Sequence, residues 1–124
     1  MRLLVCGGRN YTDAKALNTR LDALVRERGR VSVLIHGAAR GADSLAAAWA
    51  AENGIPVLAF PADWDTYGKS AGAIRNSQML TEGQPDLVVA FPGGAGTANM
   101  VRQARDARVR VLLILGECSP GLFD

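Results

Sequence analysis

Four times in 124 residues an apolar run breaks into a glycine-bearing loop and then into a pattern with helical spacing. Few architectures accept that rhythm. The runs are Leu3–Cys6, Val31–Ile35, Pro56–Phe60, Leu87–Phe91 and Val109–Leu115. Each is short and nearly continuous rather than alternating, which suits strands of a parallel sheet buried on both faces.

The segments between the runs have helix length. Thr12-Asp13 can cap the first, Leu17, Leu21, Leu24 and Val25 form its apolar stripe, and Gly29 ends it. The second runs from about Ala42 to Asn53 and stops at Gly54. The third spans about Ser70 to Thr81, and the fourth runs from Gly96 or Thr97 to about Arg108. Strand–helix alternation of this kind predicts one α/β, doubly wound domain over residues 1–124, with about five parallel strands, four helices on both faces and right-handed crossovers. Residues 116–124, with Ser119-Pro-Gly, read as a loose tail.

Composition narrows the function classes. A net charge of +2 is too small to imply a nucleic-acid or membrane partner. Of 14 basic residues only Lys15 and Lys69 are lysine, so 12 are arginine, the side chain that grips phosphate and carboxylate with two parallel bonds. Cys6 reads as a small buried residue, and Cys118 is the second cysteine. With no C-x-x-C and His36 the single histidine, no metal site and no cofactor are expected. Met1-Arg-Leu-Leu-Val-Cys6 is too short for a signal peptide, and no run approaches the ~20 residues of a membrane helix. A cytoplasmic protein without membrane contacts is expected.

In a doubly wound sheet, ligands bind beyond the carboxyl ends of the strands, where strand order reverses. The loops there are Gly7–Tyr11, Gly37–Gly41, Pro61–Gly72 and Pro92–Gly96. The sharpest is Asp86-Leu-Val-Val-Ala-Phe91 followed by Pro92-Gly-Gly-Ala-Gly-Thr97. A strand that ends in such a loop at a helix start puts bare N–H groups and a positive helix end together, a place for a phosphate. Single glycines are explained by tight turns; Gly93, Gly94 and Gly96 within six residues are explained poorly that way. The first loop, Cys6-Gly7-Gly8-Arg9-Asn10-Tyr11, lacks the G-x-G-x-x-G spacing, and the second strand ends in His36-Gly37 rather than an acid, which disfavours NAD. Gly68-Lys69-Ser70 looks like the end of a P-loop, but position 63, where the first glycine belongs, is Asp63. Lys69 can still meet an anion.

Four segments in order, His36-Gly-Ala-Ala-Arg-Gly-Ala-Asp43, Phe60-Pro-Ala-Asp-Trp64, Ala71-Gly-Ala-Ile-Arg-Asn76 and Phe91-Pro-Gly-Gly-Ala-Gly-Thr97, resemble the YspA/YpsA-related branch of the SLOG superfamily. The resemblance runs from Leu3 to about Leu115 and implies a Rossmann-like domain that binds nucleotides or nucleotide-derived ligands. The related LOG-type phosphoribohydrolases cleave nucleoside monophosphates and carry P-G-G-x-G-T-x-x-E with an upstream arginine. Pro92 to Thr97 match and Arg75 sits on the corresponding helix, but Met100 stands at the glutamate position. Gly37-Ala-Ala-Arg-Gly-Ala-Asp43 also looks like the S-G-x-A-R-G-I-D segment of the single-strand-binding DNA-processing protein A family.

The resemblance and the loops together give candidate ligand residues Gly7, Gly8, Arg9, Gly37, Arg40, Asp43, Asp63, Trp64, Arg75, Asn76, Pro92, Gly93, Gly94, Gly96 and Thr97. Arg9 either clamps phosphate or is a solvated loop charge. Asp43 either caps the second helix or pairs with Arg40, or else it binds ribose hydroxyls or acts as a general acid or base, with Arg75 as its catalytic companion if the protein is an enzyme. Arg75 and Asn76 bind ligand or tie helix to loop. Trp64 and Tyr67 either stack a base or pin the long loop. Thr97 can cap the fourth helix and bond phosphate at once. His36 reads as a polar strand-end residue. Arg102, Arg105 and Arg108 read as a solvated face. The expected partner is a nucleotide or nucleotide-derived small molecule, with a homo-oligomer, most simply a dimer. A long nucleic-acid track is disfavoured by 6% aromatic content.

Overall fold

A computed structural model describes residues 1–115. The expected tail at 116–124, with Cys118 and Ser119-Pro-Gly, lies outside the described residues. The elements are β1 (Arg2–Cys6), α1 (Ala14–Arg28), β2 (Val33–His36), α2 (Ala42–Glu52), β3 (Val57–Ala59), α3 (Trp64–Tyr67), a 3₁₀ turn (Gly68–Ser70), α4 (Ala71–Thr81), β4 (Leu87–Ala90), α5 (Ala95–Asp106) and β5 (Arg110–Leu113).

All five strands pair in parallel in the order β3-β2-β1-β4-β5. The chain steps outward from β1 to β3, then returns to lay β4 on the other side of β1. That reversal opens a crevice between the loops after β1 and β4. Alternate strand residues face opposite ways. Leu3, Val5, Leu34, Leu87 and Val89 join Leu17, Leu21, Leu24, Ala46 and Trp49 under α1 and α2. Leu4, Cys6, Ile35, Val88 and Ala90 join Met79, Met100, Val101 and Ala104 under α4 and α5. The sheet is therefore covered on both faces, the doubly wound α/β, Rossmann-like arrangement.

Local chemistry sets the helix ends. Asp13 caps α1, its Oδ1 accepting from Ala16 N at 3.0 Å. Gly29, at φ +97°, closes α1 in a conformation that glycine adopts without strain. Two expectations are corrected. The outer strands are not buried on both faces: Val57 in β3 and Leu113 in β5 are 41% and 45% exposed, because an edge strand has a neighbour on one side only. The long loop is not bare either. Asp63 caps a short extra helix, α3, accepting from Thr66 N at 3.1 Å. Gly68-Lys69-Ser70 forms the 3₁₀ turn into α4, in line with its rejection as a P-loop.

Candidate functional site

The four glycine loops meet at one sheet edge. Gly8 N donates to the Pro92 carbonyl at 2.9 Å, and Ala42 N donates to the Gly8 carbonyl at 3.2 Å. Close approach explains several of the glycines. A Cβ on Gly7 would lie 2.6 Å from Ala42 Cβ, one on Gly41 would strike the Gly8 carbonyl, and one on Gly93 would strike Thr97 Oγ1. Gly94 and Gly96 differ, because a Cβ on either meets nothing within 4 Å. Their bareness serves no packing inside the chain; it leaves backbone open to a cleft of about 490 Å³.

Of the sequence-derived candidates, Gly7, Gly8, Arg9, Asp43, Trp64, Arg75, Asn76, Gly94, Gly96 and Thr97 line this cleft. Pro92 and Gly93 back it and face the groove between α5 and β5. Gly37 and Arg40 line a smaller hollow on the far side of Arg9 and Trp64. Asp63 and Tyr67 line neither, and the first of these is engaged as a helix cap.

The N-terminus of α5 forms one wall. Its N-cap is Gly94, and no side chain caps it. Thr97 thus lies in the first turn and does not act as the cap expected of it. The first-turn N–H groups carry the positive end of the helix dipole toward the cleft. Arg9, Lys69 and Arg75 line the same cleft. The Arg9 guanidinium lies over the Trp64 ring, 5.2 Å from its centroid. Trp64 is 47% exposed, unlike the buried Trp49. Burial lowers the Arg75 pKa; Asp43 opposes that, and Arg9 adds to it by repulsion. Two guanidinium groups thus share one cleft and repel each other, the electrostatic setting for an anion.

Asp43 does not cap α2, whose N-cap is Gly41, and its carboxylate is not paired with Arg40. Its Oδ2 accepts from Gly37 N at 3.0 Å and Ala39 N at 3.3 Å, so it braces the loop after β2. Burial raises its pKa from the ordinary value; the Ala39 N–H, His36 and Arg75 oppose the rise. His36 is structural, as expected. It is buried, its Nδ1 accepts from Ala38 N at 2.9 Å, and burial lowers its pKa. Burial pushes the Cys6 thiol up to about 12, which makes it inert.

Arg75 Nη1 donates to the Gly37 carbonyl at 2.6 Å and Nε to Asn76 Oδ1 at 3.0 Å. Asn76 Nδ2 reaches the Gly96 carbonyl at 3.2 Å and Asn99 Oδ1 at 3.0 Å. The polar groups of Asn76 are therefore engaged inside the protein, where they tie α4 to the start of α5. Asn99 lines the cleft and was not singled out by sequence. Gly96, Asn99 and Gln103 at i, i+3 and i+7 form a polar face of α5, a signal eclipsed by the arginines beside it. Met100 is fully buried in the apolar cluster beneath. Among the described residues no group of three or more His, Cys, Asp or Glu side chains could hold a metal.

The model of the YspA, cpYpsA-related SLOG family (YAcAr) matches residues 1–67, more than half of the chain. The chain belongs to this SLOG family. The match takes in the loop after β1, with Arg9, and the start of α2, with Asp43. A relative, the Gene 61 protein of Mycobacterium phage D29, is 38% identical over 122 residues, covering 90% of this chain and 94% of its own. Among solved structures, phosphoribosylglycinamide formyltransferase from Bacillus halodurans aligns with 90% of this chain at 21% identity and a TM-score of 0.47; the alignment spans 54% of that enzyme. This SLOG chain is thus a nucleotide-related, Rossmann-like domain by family and topology. No helix among the described residues is long and apolar enough to cross a membrane.

Proposed function

We propose that the cleft binds a phosphate-bearing nucleotide or nucleotide-derived ligand and that the protein works as a sensor or binding module. One observation carries this: the uncapped start of α5, kept bare by Gly94 and Gly96, shares one open cleft with Arg9, Lys69 and Arg75. Phosphate sits on the α5 terminus, where N–H groups and dipole favour an anion. Arg75 and Arg9 neutralise it. Trp64, at the mouth, offers the aromatic surface for a base.

One observation favours a second function, N-glycosidic hydrolysis. Asp43 is a buried carboxyl on the cleft wall with a raised pKa, the kind of group tuned for proton transfer. Its Oδ2, however, already accepts two loop N–H groups. Binding without turnover is therefore the conclusion.

Calorimetry with nucleoside monophosphates tests it. Arg75→Ala should weaken binding by about 1.5–3 kcal/mol, the scale of a hydrogen bond to a charged group. Arg105→Ala, on the α5–β5 groove, should change little. Equal losses with folding intact would mean the ligand uses another surface. Sustained release of free base by the wild type, abolished in Asp43→Asn, would make the protein a hydrolase.

A further inference from the structure

The polar network between α4 and α5 fixes the orientation of one amide, and that amide has a free end. Arg75 Nε can only donate, and it donates to Asn76 Oδ1. The Gly96 carbonyl can only accept, and it accepts from Asn76 Nδ2. These partners leave Asn76 one orientation. Its Nδ2 also donates to Asn99, so Asn99 must present oxygen there. From the other side the Ala73 carbonyl, again acceptor only, takes a proton from Gln103 Nε2 at 3.1 Å. The same nitrogen donates to Asn99 Oδ1 at 2.7 Å. Asn99 Oδ1 therefore accepts twice, and Nδ2 is what remains. It has no partner among the described residues. Nor is it buried, since among the described residues no buried side-chain nitrogen or oxygen lacks a partner. The open space that Asn99 lines is the cleft.

We propose that Asn99 is a specificity-determining residue of the cleft, a fixed donor to an acceptor oxygen in the sugar part of the ligand. It lies three residues beyond Gly96, one helical turn deeper, so the atom it reads is set ~5 Å along the wall from the phosphate position. The sugar, bonded directly to the phosphate, is the part of a nucleotide that reaches there. The inference rests on the nucleotide assignment of the same cleft. Asn99 is held by two accepted bonds before any ligand arrives, so its donor costs little ordering on binding.

Asn99→Asp is the test. A carboxylate keeps both accepted bonds but cannot donate, so the fold stays and only the cleft face changes. Ribose 5-phosphate, inorganic phosphate and pyrophosphate are titrated into wild type and variant by calorimetry. The quantity read is the ratio of affinities for ribose 5-phosphate over phosphate, in which repulsion between the new carboxylate and phosphate cancels. The ratio is expected to fall about tenfold in the variant, as for one lost hydrogen bond. An unchanged ratio overturns the proposal alone. A fall in the pyrophosphate-over-phosphate ratio instead overturns it in favour of a second phosphate at Asn99. Loss of folding in Asn99→Asp overturns the network assignment beneath it. Failure of every probe to bind the wild type overturns the nucleotide assignment, and the proposal with it.

Discussion

Gly96→Ala separates what the α5 terminus does for the fold from what it does for a ligand. In the free protein the new methyl meets nothing within 4 Å, and Gly96 lies inside the helix without positive φ. Replacing a helical glycine by alanine then stabilises by about 0.5–1 kcal/mol. For a domain of this size that raises Tm by roughly 2–5 °C. Binding should move the other way. A phosphate oxygen on a first-turn N–H sits ~2.9 Å from nitrogen, whereas a methyl carbon holds other atoms off at ~3.5 Å or more. The methyl lengthens or breaks one or two bonds to a charged group, a loss of roughly 2–4 kcal/mol. Thermal scanning and calorimetry with a nucleoside monophosphate read both effects on one sample. Gly93→Ala is the contrast: its Cβ falls 2.6 Å from Gly8 N and onto Thr97, so it should lower Tm. A Gly96→Ala protein that is more stable and binds as tightly as wild type would refute a phosphate on this helix end.

Met100→Glu should not create a hydrolase, because position 100 faces the apolar cluster with Leu4, Cys6 and Val88. A buried, unpaired carboxylate there should cost roughly 3 kcal/mol or more in urea unfolding, and a variant as stable as wild type would refute that placement. For His36 the folded pKa is depressed, so its contribution is present above its ordinary 6.5 and is lost as pH falls through the lower folded value. Unfolding free energies at pH 7.5 and 5 should show that loss. His36→Asn should show less of it, since an asparagine oxygen can accept the Ala38 N–H at any of these pH values.

Much of this fold is legible in the sequence because burial forces it. Leu3–Cys6 and Leu87–Phe91 are central strands, and nothing but apolar side chains fits between two helix layers. Val57 and Leu113 were misread as equally buried because composition does not reveal which strand ends a sheet. The glycine loops were legible as a cluster, but not their division of labour. Gly7, Gly41 and Gly93 admit neighbouring chain, while Gly94 and Gly96 face open space, and only geometry separates the two. Asp63 and Asn76 carried the right chemistry for a ligand, yet their polar groups close a helix cap and a helix–helix tie. Asn99 was overlooked for the opposite reason. Its free donor is a consequence of five other residues, Arg75, Asn76, Gly96, Ala73 and Gln103, and no local motif announces it.

Amide chemical shifts of the ¹⁵N-labelled protein, followed during titration with AMP, show where the phosphate sits. The largest changes are expected on the backbone N–H groups of Ala95, Gly96 and Thr97, with smaller ones around Gly8, Arg9 and Trp64. Unmoved signals at 95–97, with the changes instead around the groove of Asp22, Arg30, Trp49 and Ile55 at the opposite sheet edge, would contradict that placement.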